Sequence, residues 1–133
     1  MKTLLLIAGS AVLLSGCSFA ARSPEMYRDD TKAVLETKNN DIRACYDGVL
    51  KATPGAAGKV TVKFEVETEQ GKIVNVAVDK PNTTAPDAVA ECVTKSINGL
   101  GLTPPDKRVG QATFVWEFAA PAPGVYASPA PKS

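Results

Sequence analysis

The chain has 133 residues, of which 44% are hydrophobic and 22% charged, with 15 Lys+Arg against 14 Asp+Glu and no histidine. That length suits one small domain, and a charge balance so close to zero leaves no electrostatic footprint for nucleic acid. Without histidine, the commonest general base and zinc ligand is missing.

Leu4 to Leu14 form a short apolar run preceded by Lys2 and ending at Leu14-Ser15-Gly16-Cys17. The run is too short to span a bilayer, which takes about 20 residues, but it fits the apolar region of a secretory signal. A cysteine directly after Leu-Ser-Gly resembles the lipobox of bacterial lipoproteins, which implies cleavage before Cys17 and a diacylglycerol on its thiol. The alternative, a plain signal peptide or a short buried helix, leaves the position of Cys17 unexplained. Residues 1–16 are therefore read as a lipoprotein signal peptide and Cys17 as the lipid anchor, several acyl chains holding stably where one binds reversibly. Removal of that signal takes away Lys2 alone among the charges and leaves a formally neutral chain. By the same resemblance, Ser18 in place of an aspartate favours the outer membrane, with the domain in the periplasm.

In such an oxidising compartment the two remaining cysteines, Cys45 and Cys92, are expected to pair. A disulfide closing a loop of this length stabilises by about 4 kcal/mol on the chain-entropy account. Two free buried thiols are the alternative, and two thiolates alone make an incomplete zinc shell, so neither a metal nor a cofactor is expected.

Residues 17–28, with Pro24 and no periodic pattern, read as a lipidated tether. From about Asp30, Val34, Leu35, Ile42, Cys45, Tyr46, Val49 and Leu50 recur at helical spacing, and Asn39-Asn40-Asp41 leaves open one helix or two. Turn residues from Thr53 to Gly58 close this region. Val60, Val62, Phe64 and Val66 then alternate with polar residues, and Val74, Val76 and Val78 repeat the alternation after Glu69-Gln70-Gly71, which predicts a β-hairpin with the glycine left-handed in its loop. Thr84, with Asp87 three residues on, has the pattern of a helix N-cap, followed by an apolar stripe of Val89, Cys92, Val93 and Ile97 and a stop at Gly99. Both cysteines thus fall on buried stripes, so their pairing requires two helices side by side. Leu100 to Asp106 reads as a linker, and Phe114, Trp116 and Phe118 give one apolar face to a last strand. Residues 121–133 form a Pro/Ala-rich tail.

These elements predict a single α+β domain over 29–120: a two-layer sandwich in which two helices pack on one face of a three-stranded antiparallel sheet. A right-handed crossover from the second strand to the third places the first between them, giving the order 2-1-3.

The group Cys45-Tyr46-Asp47, the motif Gly58-Lys59-Val60-Thr61-Val62-Lys63-Phe64 and the second cysteine in Cys92-Val93 resemble the AgmX/PglI C-terminal domain, a relative of the TonB C-terminal domain. The likeness covers about residues 30 to 119, and Leu100-Gly101-Leu102-Thr103 departs from it where that family has aromatic residues. The resemblance implies a non-catalytic protein-interaction module of the bacterial envelope. TonB proteins transduce energy through an uncleaved membrane helix and a long Pro-rich arm. A tether of a dozen residues, reaching about 40 Å, fits a membrane-surface adaptor better.

The third strand carries Glu117 as its one charge, whereas the second is flanked by Lys72 and Lys80. Thr113, Phe114, Val115, Trp116 and Glu117 are accordingly the expected partner-binding edge, unless the tail through Val125 and Tyr126 folds back over it. No phosphate-cradling loop precedes a helix, and the carboxylates scatter over wet faces, so no catalytic residue is expected. Two further functions fit the same residues: a structural lipoprotein contacting the cell wall through its tail, or a domain that self-associates through paired edges.

Overall fold

The computed structural model describes residues 21–120, so the signal peptide, Cys17 and the tail over 121–133 lie outside the described residues. In chain order the elements are α1 (Pro24–Glu36), α2 (Asn39–Ala52), β1 (Gly58–Val66), β2 (Ile73–Val78), a short 3-10 turn at Lys80–Asn82, α3 (Asp87–Ile97) and β3 (Gly110–Phe118). The sheet order is β2-β1-β3, with β1 antiparallel to both neighbours. This is the expected α+β topology, with the first helical region split in two at Thr37-Lys38. None of the described helices is long and apolar enough to cross a membrane.

Helix α1 begins well before the expected Asp30. Pro24 occupies its first turn, where a missing N–H costs nothing, and the Ser23 hydroxyl accepts the Met26 N–H. The residues read as tether therefore include the start of the helix, Pro24 to Arg28, about one and a half turns. Periodicity concealed them because the inward stripe of α1 is Tyr27, Thr31 and Leu35, with a threonine at its centre. The Thr31 hydroxyl is satisfied by the Tyr27 carbonyl at 2.6 Å, so a buried polar side chain does the work of an apolar one.

Strand β1 runs through the middle of the sheet, and Val60, Val62 and Val66 on its inner face have no exposed surface. Burial of each such side chain contributes about 1.5–3 kcal/mol relative to leaving it in water. Leu35, Ile42, Tyr46, Val89, Val93 and Ile97 from the helices complete the core.

The hairpin holds one departure from simple alternation. Register shifts between Lys63, paired with Ala77, and Glu65, paired with Val74, and Asn75 sits at φ 53°. A β-bulge of this kind adds one residue and reverses the faces beyond it. Ile73, 1% exposed, therefore takes the buried position opposite Val66, and Val74, expected on the apolar face, turns outward beside Glu65. In the loop, the Glu67 carboxylate accepts the N–H groups of Glu69, Gln70 and Lys72. Gly71 there has φ +70°, and a Cβ would lie 2.1 Å from the Leu102 carbonyl oxygen, so glycine is required on both counts.

Thr84 is not the N-cap of α3, which starts at Asp87 after Pro86. Its hydroxyl instead accepts the Lys59 N–H at 2.8 Å, because the chain after β2 continues along the edge of β1 before turning into the helix. Gly58, at φ +131°, allows that approach, since a Cβ would lie 2.7 Å from the Ala85 nitrogen. Helices α2 and α3 pack side by side and are joined by a Cys45–Cys92 disulfide with Cα atoms 5.6 Å apart. Cys92 is buried, but Cys45 is exposed, one residue off the inward pair Ile42 and Tyr46, so the bond closes the rim of the helix pair rather than its centre.

Candidate interaction edge

Strand β3 pairs with β1 along its whole length, from Val66 opposite Gly110 to Gly58 opposite Phe118. Which backbone groups this pairing uses follows from the other side of β1. The Lys59 carbonyl accepts the N–H groups of Thr84 and Ala85, the Thr61 carbonyl accepts that of Asp79, and the Glu67 N–H donates to Lys72. Odd-numbered residues of β1 thus direct their backbone groups away from β3, and the even-numbered ones, Val60, Val62 and Phe64, direct theirs toward it. Their partners Trp116, Phe114 and Ala112 spend their own groups in return. The alternate residues Gln111, Thr113, Val115 and Glu117 therefore present N–H and C=O groups to the open edge, where no further described strand pairs.

The sequence had singled out Thr113 through Glu117, and the structure divides them between two faces. Thr113, Val115 and Glu117 are exposed, Val115 being 53% accessible. Phe114 and Trp116 are half-buried on the helix side. Phe114 stacks on Phe64 with ring centroids 5.8 Å apart, and Phe118 tilts against Tyr46 at 4.8 Å, so the ladder is fixed from within by aromatic pairs. Glu117 lies 3.8 Å from Lys59 Nζ with both side chains in water, a pair of little energetic weight. Gln111 belongs to the same set of open backbone groups. The pattern of side chains could not identify it, because the signal lies in hydrogen-bond parity.

Between α1 and β3 lies a groove of about 310 Å³, lined among others by Pro24, Tyr27, Thr31, Ala112 and Phe114. The Tyr27 ring lies against Gly110, where a Cβ would come within 2.6 Å of it, and its hydroxyl donates to the Arg108 carbonyl at 3.2 Å. Burial, with the nearby Asp106 carboxylate, raises the Tyr27 pKa, so the phenol stays protonated and donating.

Beside Tyr27, whose ring centroid lies 6.0 Å from the Arg22 guanidinium, a polar cluster ties the start of the described domain to the segment before β3. Arg22 donates its N–H to Asp106 at 2.8 Å, its Nε to Asp30 at 2.7 Å and an Nη to the Pro104 carbonyl at 2.8 Å. Arg108 donates its own N–H to Asp106 at 3.0 Å and reaches back to the Arg22 carbonyl. Asp106 is fully buried. Burial alone would push its carboxyl up, but the N–H groups of Arg22 and Arg108 and the Arg108 guanidinium outweigh it and hold the pKa below the ordinary range. Neither residue was marked by the sequence, since one sits in the expected tether and the other in the expected linker. Among the described residues, no group of three His, Cys, Asp or Glu side chains comes together as a metal site.

No protein-family model matches the sequence, and no curated protein does. Among solved structures, the chain is similar to the NMR solution structure of the Helicobacter pylori TonB-CTD, residues 179–285, with 15% identity over 86% of this chain and 99% of that one and a TM-score of 0.57. The fold is therefore TonB C-terminal-like.

Proposed function

We propose that the chain is a non-catalytic, lipid-anchored interaction module of the bacterial envelope, attached through Cys17, that takes up an extended segment of another envelope protein along the open edge of β3. The observation that carries the reading is the row of outward backbone groups at Gln111, Thr113, Val115 and Glu117 on a strand paired without a register shift. Such a row matches the hydrogen-bonding period of an added strand, and main-chain bonds supply the affinity in that mode of recognition. The resemblance of the Cys45-Tyr46-Asp47 and Gly58 motifs to AgmX/PglI domains, and the TonB-like fold, support an interaction role. The lipobox-like Leu14-Ser15-Gly16-Cys17 supports the anchor and the periplasm-facing location.

The test is a cross-linking pull-down from envelopes with the wild type and with Val115→Pro. Because the Val115 N–H points to the open edge, proline removes a docking donor without breaking a bond to β1. The variant should keep the circular dichroism of the wild type and lose the captured protein. Equal capture by both folded proteins would remove the edge-binding reading. Loss of capture only on deletion of residues 121–133 would transfer the function to the tail.

A further inference from the structure

The N-terminal clamp has a geometric consequence for a chain anchored at Cys17. Among the described residues, Arg22 is the first held by the domain, with a side chain 5% exposed and bonds to Asp30, Pro104 and Asp106. Freeing it would take the Arg22 N–H from the fully buried Asp106 carboxylate, leaving it to Arg108 alone, and would break the Arg22 bonds to Asp30 and Pro104, so the clamp resists opening. Five residue steps separate Cys17 from Arg22, and a fully extended chain of that length spans about 17 Å. The expected tether is cut to less than half by the clamp.

The surface around that point has the character of an interfacial contact. Among the described residues, the exposed large hydrophobic side chains are Met26 and Val109, each 56% accessible, and Val115 of the β3 edge. Met26 and Val109 sit on segments that touch, because Tyr27 bonds the Arg108 carbonyl and its ring lies against Gly110. Exposed Arg28, Lys107 and Arg108 stand beside them, with Glu25 and Asp29 close by, so the pole carries cations for phosphate groups but no strong net charge.

We infer that this pole, with Met26 and Val109 at its tip, rests on the lipid surface and sets the orientation of the domain; the inference rests on the Cys17 anchor proposed above. The partner is the phospholipid bilayer carrying the anchor. The near-neutral charge makes binding independent of anionic lipid, and the short tether supplies the local concentration that two apolar side chains could not. Strand β3 starts at this pole with Gly110 and runs to Phe118, about 27 Å away at strand rise, so the open edge leads away from the anchored pole.

The test uses the full lipidated chain in phosphatidylcholine vesicles, with an environment-sensitive fluorophore on Met26→Cys, Val109→Cys or Lys51→Cys. Lys51 lies in the last turn of α2, just before the loop to Gly58, which pairs with Phe118 at the far end of the sheet. With brominated acyl chains, emission at 26 and 109 should be about halved, since an interfacial side chain reaches about 5–10 Å into the headgroup boundary, while emission at 51 stays unchanged. Inserting twelve Gly/Ser residues between Ala20 and Ala21 should return 26 and 109 to the level of 51. Equal emission at all three positions, with mass spectrometry showing acylated Cys17, overturns the orientation and leaves the anchor standing. Quenching that survives the insertion overturns the clamp as its cause. An unmodified Cys17 overturns the anchor, and the orientation with it.

Discussion

The two edges of the sheet have been treated differently by the chain. At the β2 edge, the Ile73 N–H donates to the Leu100 carbonyl, the Ile73 carbonyl accepts the Gly99 N–H, and Lys72 bridges to Gly101, so the segment after α3 has already claimed the start of that edge. The bulge at Asn75 bends what remains, and the Asn75 amide is turned onto Glu65 at 2.7 Å. At the β3 edge there is no bulge and no further described strand; α1 borders its first half, Gly110 to Phe114, across the groove, and the nine-residue strand carries Glu117 as its single charge. Bulges, charges and covering loops are the devices that keep strand edges from pairing with other chains. Their concentration on one edge of a single small sheet leaves the β3 edge without them, which is the contrast the proposed strand addition draws on.

Both edges depend on one helix layer, so the largest perturbation should abolish the difference between them. The double substitution Cys45→Ser, Cys92→Ser removes the bond between α2 and α3 and should lower the unfolding free energy by about 4 kcal/mol, read as a fall in denaturant midpoint with unchanged slope. A smaller loss would mean that the exposed rim position of Cys45 leaves the reduced chain already constrained by packing.

Gly71→Ala should instead act on one edge alone. A methyl group at φ +70°, 2.1 Å from the Leu102 carbonyl oxygen, pushes the 99–102 segment off β2 at a cost of about 1–3 kcal/mol. Amide exchange should speed up at Ile73, Gly99 and Leu102 while Phe114 and Trp116 keep their protection. If exchange rose equally on both strands, the edges would not be independent, and the covering of β2 would belong to global stability.

These distinctions were unevenly legible in the sequence. The hairpin followed from Val60, Val62, Phe64 and Val66 and from Gly71, because alternation and turn chemistry are local, and the strand order followed from the handedness of the crossover through α3. Val74 misled because a single inserted residue, Asn75, reverses the faces beyond it, and an asparagine able to adopt positive φ gives no signal distinct from one in an ordinary strand. Thr84 looked like a helix cap because it is a hydroxyl shortly before an acidic residue, yet a backbone N–H of β1 claims it. The β3 edge is singled out in the sequence by its lack of charge. Its composition of alternating backbone groups, which brings in Gln111, needed the pairing on the far side of β1. The Arg22 and Asp106 clamp was invisible because its partners are 84 residues apart and neither lies in a periodic segment.

Asn75→Val offers a finer probe of the closed edge. A β-branched side chain at φ 53° is strained by about 1–3 kcal/mol, and the strain is relieved if the bulge is expelled. Expulsion would return Val74 to the inner face and displace Ile73, so the variant should lose stability and expose a straighter β2. A rise in concentration-dependent association, measured by sedimentation, is the expected outcome. A variant that stays monomeric would show that the 99–101 segment alone suffices to guard the edge.

The smallest effect separates the edges by pH. The Glu67 carboxylate is held below the ordinary glutamate range chiefly by the Lys72 N–H, against some loss of hydration, with further help from the N–H groups of Glu69 and Gln70. Because its pKa is lower in the folded chain than in the unfolded one, the unfolded chain binds more protons between the two values, and stability rises with pH there. The stabilisation is fully present above the unfolded value of about 4.3 and is lost as pH falls through the folded one. The amide resonances of Glu69, Gln70 and Lys72 should therefore move together with a midpoint below about 4.3, and Glu67→Gln should erase that step. Thr113 and Val115 should not follow it, because no carboxylate organises the β3 edge in this way. A common midpoint at or above the ordinary value would mean that the loop is ordered by Gly71 and the Leu102 contact, with the carboxylate only attending.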